Sequence, residues 1–240
     1  MNSPIALVTG ATSGIGLHTA RQLTAAGWRV YVGARDVDKG ARVAADVGAH
    51  ALPLDVSSSE SIAAAAAQVP HLDALINNAG VSLDTGTLIN ETDVEVFRAT
   101  YETNVFGVVA VTNAFLPALR HSRRGRIVNV SSGTGSLGWS TGPNPQFDHQ
   151  AASRGAGAAY RSSKTALNAI TLFYAHALAA DRIKVNALAP GLRATQLNQF
   201  AATAGGDPTE AADAAVRLAQ LPDDGPTGKL FSWDGTIAPW

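Results

Sequence analysis

An alternation constrains the fold more than any other feature of the chain. Short apolar runs recur along it, and nearly every one is followed by a segment with helical spacing. Ile5–Thr9 reads as a first strand ending at Gly10. A helix follows from about Ile15 to Ala26, with Leu17, Ala20, Leu23 and Ala26 near helical spacing, and Gly27 stops it. Arg29–Gly33, His50–Leu54, Leu72–Ile76, Arg126–Val130 and Ile183–Ala187 predict further strands, and Gly228–Phe231 a short last one. Between them Asp38–Val47, an Ala-rich segment opened by the capping-box pattern Ser57–Glu60, residues 91–119 and Tyr160–Ala179 predict helices. Strands alternating with helices at this interval make parallel βαβ units, so the expectation is an α/β fold with a doubly wound parallel sheet of about seven strands. Several strands are continuously apolar, as expected where helices cover both faces. In such sheets ligands bind beyond the carboxyl ends of the strands, so chemistry-bearing residues should follow strands directly.

The chain has 240 residues, no internal repeat and no linker, which predicts one domain over 1–240. Two irregular stretches break the rhythm, 133–159 and 191–208, and loops that long inside a compact domain are usually functional. The first predicts a substrate loop and the second a lid. With no cysteine, disulfides, thiolate metal sites and thiol chemistry are excluded. The six histidines never pair at metal-ligand spacing, so no metal is expected. A net charge of −1 argues against sequence-independent nucleic-acid binding, and the run Arg120, Arg123, Arg124, Arg126 reads as a solvated turn. No apolar run is long enough to span a bilayer and Met1–Pro4 carries no basic n-region, so the expected location is cytoplasmic.

Thr9-Gly10-Ala11-Thr12-Ser13-Gly14-Ile15-Gly16 joins the first strand to the first helix. Glycines allow a tight turn, and the helix N-terminus offers free N–H groups and a positive dipole end to a diphosphate. Strand two ends Gly33-Ala34-Arg35-Asp36. A site preferring NADH usually ends this strand with a carboxylate on the ribose 2′-hydroxyl. Here Ala34 stands there and the Arg35 guanidinium suits a 2′-phosphate, which favours NADPH over NADH; the adjacent Asp36 charge opposes it. Asn77-Asn78-Ala79-Gly80 follows strand four and Ser131-Ser132-Gly133 follows strand five. Tyr160 and Lys164 open the long helix at i and i+4, so phenol and ammonium share one face.

With these pieces the sequence resembles the short-chain dehydrogenase/reductase family, in its single-domain, carbonyl-reductase-like branch. The matching pieces are TGATSGIG, Asp55-Val56, NNAG, Asn104, IVNVSS, YRSSK, Val185-Asn186 and Pro190-Gly191-Leu-Arg-Ala-Thr195, in family order. The resemblance implies a three-layer Rossmann fold and assigns roles by position. Tyr160 would be the acid–base, Lys164 would lower its pKa and hold the nicotinamide ribose, and Ser132 would bond the substrate oxygen, with Ser131 as the alternative. Asn104 would anchor a water leading protons to Lys164. Gly10, Gly14 and Gly16 would face the diphosphate, with Thr12, Ser13 and Ile15 in the same turn. Asp55 would contact the adenine, with Val56 beside it, and Asn78, Ala79 and Gly80 the region near its ribose. Thr195 would bind the nicotinamide amide, with Pro190 and Gly191 leading to it.

Charge arithmetic supports the Tyr–Lys pair independently. A free phenol titrates near 10. A cation about 5 Å away at an effective dielectric of ~20 is worth about 3 kcal/mol, or roughly two pKa units toward neutrality. One departure stands out: Ser132 and Tyr160 are 28 residues apart, longer than the family's usual gap. The extra segment holds Trp139, Pro143, Pro145, Phe147, Asp148 and His149. It resembles an insertion of carbonyl-reductase-like members, which points to a monomer or homodimer rather than a tetramer. Trp139 and Phe147 either wall the substrate pocket or pack within the loop. Leu192, Leu197 and Phe200 either present an apolar face to a hydrophobic carbonyl substrate or form the core face of a short helix. The expected activity is NADPH-dependent, reversible reduction of a ketone or aldehyde. The alternatives are a non-catalytic NADP(H) sensor on the same fold, or another chemistry such as dehalogenation or epimerisation.

Overall fold

The computed structural model describes residues 3–144 and 154–240, so Pro145, Phe147, Asp148 and His149 lie outside the described residues. Eight strands form one sheet in the order β3-β2-β1-β4-β5-β6-β7-β8. They are β1 (Ile5–Thr9), β2 (Arg29–Ala34), β3 (His50–Pro53), β4 (Ala74–Asn77), β5 (Arg126–Val130), β6 (Lys184–Ala189), β7 (Leu230–Ser232) and β8 (Ile237–Ala238). The first seven pair in parallel; β8, which periodicity did not reveal in a two-residue segment, turns back antiparallel on β7. The doubly wound α/β architecture is therefore as expected.

The period of two sorts the strand residues between two helical layers. Ala6 and Val8 of β1, Ala74 and Ile76 of β4, and Val128 and Val130 of β5 belong to one core cluster. That cluster also holds Ala20 and Leu23 of α1 (Gly14–Ala25), Ala44 of α2 (Val37–Val47) and Ala215. Leu7, Leu75 and Ile127 point the other way. They meet Ile62 of α3 (Ser59–Ala67), and Phe115 of α5 (Gly107–Arg120), which follows α4 (Val94–Tyr101). After β5 come the short α6 (Leu137–Thr141) and the long α7 (Ala158–Ala177). The chain closes with α8 (Gln199–Ala204) and α9 (Pro208–Ala219), before β7.

Two local expectations change. The helix after β3 is capped by Ser58, whose hydroxyl accepts the Ser61 N–H, not by Ser57; Ser57 instead donates to Asp55. Arg126 is not on a solvated turn: it is 2% exposed, donates to the Leu221 carbonyl and pairs with Asp223 at 2.8 Å. A guanidinium survives burial there because carbonyl and carboxylate oxygens satisfy it. Among the described residues no helix is long and apolar enough to cross a membrane, and no group of His, Asp or Glu is placed to hold a metal.

Candidate active site

A cleft of about 510 Å³ opens at the carboxyl ends of β1, β2, β4 and β5. Its size suits a small-molecule ligand. At one end lies the turn from β1 to α1, where Gly10, Thr12, Ser13, Gly14 and Ile15 line the wall. Ser13 sits at the N-cap without a side-chain cap, and α1 has no acid in its first turn. The helix therefore presents backbone N–H groups and its positive end to the cleft.

The glycines divide into two kinds. A Cβ on Gly10 (φ +61°) would lie 2.9 Å from the Ala79 Cα, and one on Gly16 would lie 2.4 Å from Asn78 Nδ2. Gly16 does not line the cleft. Its bare backbone lets the turn close on the end of β4, because a Cβ would also lie 2.8 Å from the Gly10 carbonyl oxygen. Asn78 completes that closure by donating to the carbonyls of Thr9 and Gly10 at 2.9 and 3.1 Å. Thr9, which motif reading passed over, accepts the N–H groups of both Asn78 and Ala79 through its hydroxyl oxygen.

The ends of β2 and β3 make the next wall, with Ala34, Arg35, Asp36, Lys39, Leu54, Asp55 and Val56. Asp36, whose charge counted against Arg35, is engaged: its carboxylate accepts the Lys39 N–H at 2.9 Å and caps α2. The carboxylate of Asp55 accepts the hydroxyl and N–H of Ser57, and these bonds hold its pKa below the usual range, aided by Arg35. Lys39 is a second cation at this end that motif and spacing did not single out; it lines the cleft from the first turn of α2, where its N–H donates to the Asp36 cap.

At the other end Val130, Ser131, Tyr160 and Lys164 meet Gly80, Val81 and Ser82. The two adjacent serines diverge. Ser131 is buried and its hydroxyl donates to Asn168 Oδ1 at 2.5 Å, locking it to α7. Ser132, which is not among the residues lining the cleft, lies 2.8 Å from Thr134 Oγ1, and its nearby hydroxyl lowers the Tyr160 pKa. Lys164 is 4% exposed, donates to the Val130 carbonyl at 2.9 Å and stands 5.7 Å from the centre of the Tyr160 ring.

The expected lowering of the phenol is reversed here. Burial pushes Tyr160 up to about 12, opposed only in part by the Ser132 hydroxyl. Burial likewise pulls Lys164 down to about 8. Withdrawal from water costs each charged form more than its neighbour returns. Near neutrality the pair is therefore a proton-bearing phenol beside an ammonium.

Asn104 is fully buried and does not reach the cleft. Its amide bonds Val81 N–H and carbonyl at 2.8 and 2.9 Å and Ser163 Oγ at 3.0 Å, so it ties the loop after β4 to α7. Asp84, not singled out by motif reading, does the same from below. It is 2% exposed, and its carboxylate accepts the N–H groups of Ala159 and Tyr160 at 2.6 and 3.2 Å. The N-cap of α7 is Gly157, without a side chain to cap the helix, so Asp84 supplies the cap from another loop.

Pro190 and Thr195 line the cleft, and Gly191 does not. Of the three apolar residues expected there, Leu197 lines it, while Leu192 and Phe200 are 45% and 59% exposed. Neither is on the core face of a helix. Trp139 is not a pocket wall: it is buried against Ala187, Ala189, Leu230 and Ala238. Arg193 anchors the 191–208 segment by donating to the Pro190 carbonyl at 2.7 Å and bonding Glu210, with its guanidinium over the Trp233 ring.

The sequence comparisons agree with this geometry. The model of the short chain dehydrogenase family matches residues 4–144 and 149–204, so the chain belongs to that family. It is 36% identical over 245 residues to a short-chain dehydrogenase, anuI, of Penicillium roqueforti, covering 96% of this chain and 93% of that one. The fold superposes on an NADPH-bound carbonyl reductase from chicken fatty liver with a TM-score of 0.81, 25% identity and full coverage of both chains. It also superposes on a 3-ketoacyl-(acyl-carrier-protein) reductase from Brucella melitensis complexed with NADH, with a TM-score of 0.80, 27% identity and coverage of 95% and 96%. This chain is thus an oxidoreductase of a family that uses nicotinamide cofactors. The cleft's residues fit such a group: uncapped N–H groups at α1 suit a diphosphate, and the cations Arg35 and Lys39 line the same cleft.

Proposed function

We propose that the protein is an NADPH-dependent reductase of ketones or aldehydes, chemically reversible, with Tyr160 as its acid–base. One observation carries this reading. The Tyr160 phenol, beside the Lys164 ammonium, lies at the end of the cleft opposite Arg35 and Lys39. A bound nicotinamide supplies or takes up the hydride. Tyr160 holds its proton at neutral pH and delivers it to the carbonyl oxygen as negative charge builds there, so the carbon gains hydride, the oxygen gains a proton and an alcohol leaves. The Ser132 hydroxyl donates to the same oxygen. Lys164 places a positive charge beside the phenolate that remains. Leu83 and Leu197, both lining the cleft, favour an apolar carbonyl compound. Arg35 and Lys39, two cations lining this end of the cleft, favour a 2′-phosphate.

The test is oxidation of NADPH, with NADH in parallel, against a panel of ketones and aldehydes. Wild type is expected to turn over with NADPH, Tyr160→Phe to lose at least about a hundredfold in kcat, as general acid catalysis is worth. Arg35→Ala is expected to raise the KM for NADPH about tenfold while leaving that for NADH unchanged. Turnover undiminished in Tyr160→Phe overturns the acid–base assignment. Tight NADPH binding with no turnover on a broad panel would favour a sensor.

A further inference from the structure

We propose that Thr134 is a positioning residue of this site: its hydroxyl donates to Ser132 Oγ and so points the single Ser132 proton at the phenol and at the substrate oxygen beside it. The inference rests on the carbonyl-reduction reading above.

A serine hydroxyl has one proton to give and two lone pairs to fill. Ser132 Oγ has three neighbours. The Thr134 N–H donates to it at 3.2 Å, Thr134 Oγ1 lies at 2.8 Å, and the Tyr160 phenol is near enough for this hydroxyl to lower its pKa. If Ser132 gave its proton to Thr134, nothing would remain for the oxygen on which charge develops. If Thr134 gives instead, its N–H and O–H fill both lone pairs and the Ser132 proton faces outward. Each donor in such a chain also polarises the next.

The geometry is held rigidly enough to matter. Thr134 is the middle residue of the helical turn Gly133–Gly135, which Ser132 caps. That turn rests directly on α7: a Cβ at Gly135 would lie 2.7 Å from the Lys164 carbonyl carbon. The Gly135 carbonyl accepts from Thr165 Oγ1 at 2.8 Å and from Asn168 Nδ2 at 3.2 Å. The turn that carries Thr134 is thereby fixed against the helix that carries Tyr160 and Lys164.

Two variants test this. Thr134→Val keeps the shape and removes the hydroxyl; Thr134→Ser keeps the hydroxyl. With a carbonyl compound that wild type reduces, Thr134→Val is expected to lose about three- to tenfold in kcat. Its KM for NADPH and its Tm should stay at wild-type values, and the isotope effect with deuterated NADPH should rise. Thr134→Ser should recover kcat to within about twofold. A second readout needs neither substrate nor cofactor: the Tyr160 ring-carbon NMR signal, followed against pH, should titrate higher in Thr134→Val than in wild type or Thr134→Ser. Unchanged kcat in Thr134→Val, or equal losses in both variants, overturns the proposal, as does an unmoved Tyr160 titration. If wild type reduces no carbonyl at all, the reaction reading falls, and the titration alone decides whether Thr134 orients Ser132.

Discussion

The chemistry of the site turns on two groups that the fold takes out of water. Lys164, held down to about 8, and Tyr160, held up to about 12, both favour their neutral forms. On the proposed mechanism, reduction needs a protonated phenol and a charged Lys164, so its rate should fall as pH rises through about 8, as pH–rate profiles of kcat will show. Stability carries the opposite sign over that range. Between about 8 and the ordinary lysine range near 10.5, the unfolded chain binds the lysine proton and the folded chain does not. Stability therefore rises with pH there, and falls again between 10 and about 12, where the folded chain keeps the Tyr160 proton and the unfolded chain loses it. Measured against Lys164→Met, wild type should gain roughly 1–3 kcal/mol between pH 8 and 10 in chemical denaturation. At this scale the motifs were largely legible. Tyr160, Lys164 and the glycine turn were marked by residue type and spacing. The choice between Ser131 and Ser132 was not, because neighbouring serines read alike until β5 sends their hydroxyls in opposite directions. The pKa directions were not legible either, since distance alone gives the Coulomb attraction and omits desolvation.

Among the elements, α7 is fixed at its start by a residue far away in sequence. Asp84 caps it, and the bridge between Leu88 and Ala156 holds the same two loops together. Asp84→Ala leaves two buried N–H groups at the first turn of α7. It is expected to cost about 2–3 kcal/mol and lower Tm by roughly 5–10 °C, with Asp84→Asn losing less; calorimetry measures both. Neither the cap nor Thr134 left a trace in periodicity, because each acts through a contact that only the folded chain makes. The same holds for Asn104. It sits in a π-helical turn, Glu102–Phe106, between α4 and α5. The extra residue in that turn shifts the helical phase, so the inward face of residues 91–119 could not be followed by counting at 3.6. Trp139 illustrates the converse: the sequence left it between a pocket wall and packing within its own loop, while β6, the anticipated last strand β7 and the two-residue β8, which left no periodic trace, supply the core that buries it.

For the whole molecule, the alternation of strands and helices was enough to give the sheet, its direction and the place of the cleft. A ligand that binds only the folded chain stabilises it by mass action. NADPH at about a hundred times its Kd should therefore add about 2.7 kcal/mol, which scanning calorimetry should read as a rise of roughly 5–10 °C. NADH at the same concentration should raise Tm less, and Arg35→Ala should bring the two cofactors together.

The strand order also sorts the two ends of the cleft by position along the chain. The wall bearing Arg35, Lys39 and Asp55 is built from β1 to β3, and the wall bearing Ser131, Tyr160 and Lys164 from β5 and α7, with β4 between them. On the proposed reading, the groups that choose between NADPH and NADH lie in the first of these blocks, while Lys164 and Thr195, which the resemblance also gives to the cofactor, lie in the later part of the chain beside the reacting compound. An exchange of the first block would recast which electron carrier is drawn on while the chemistry downstream keeps its register, so the two specificities are free to diverge independently.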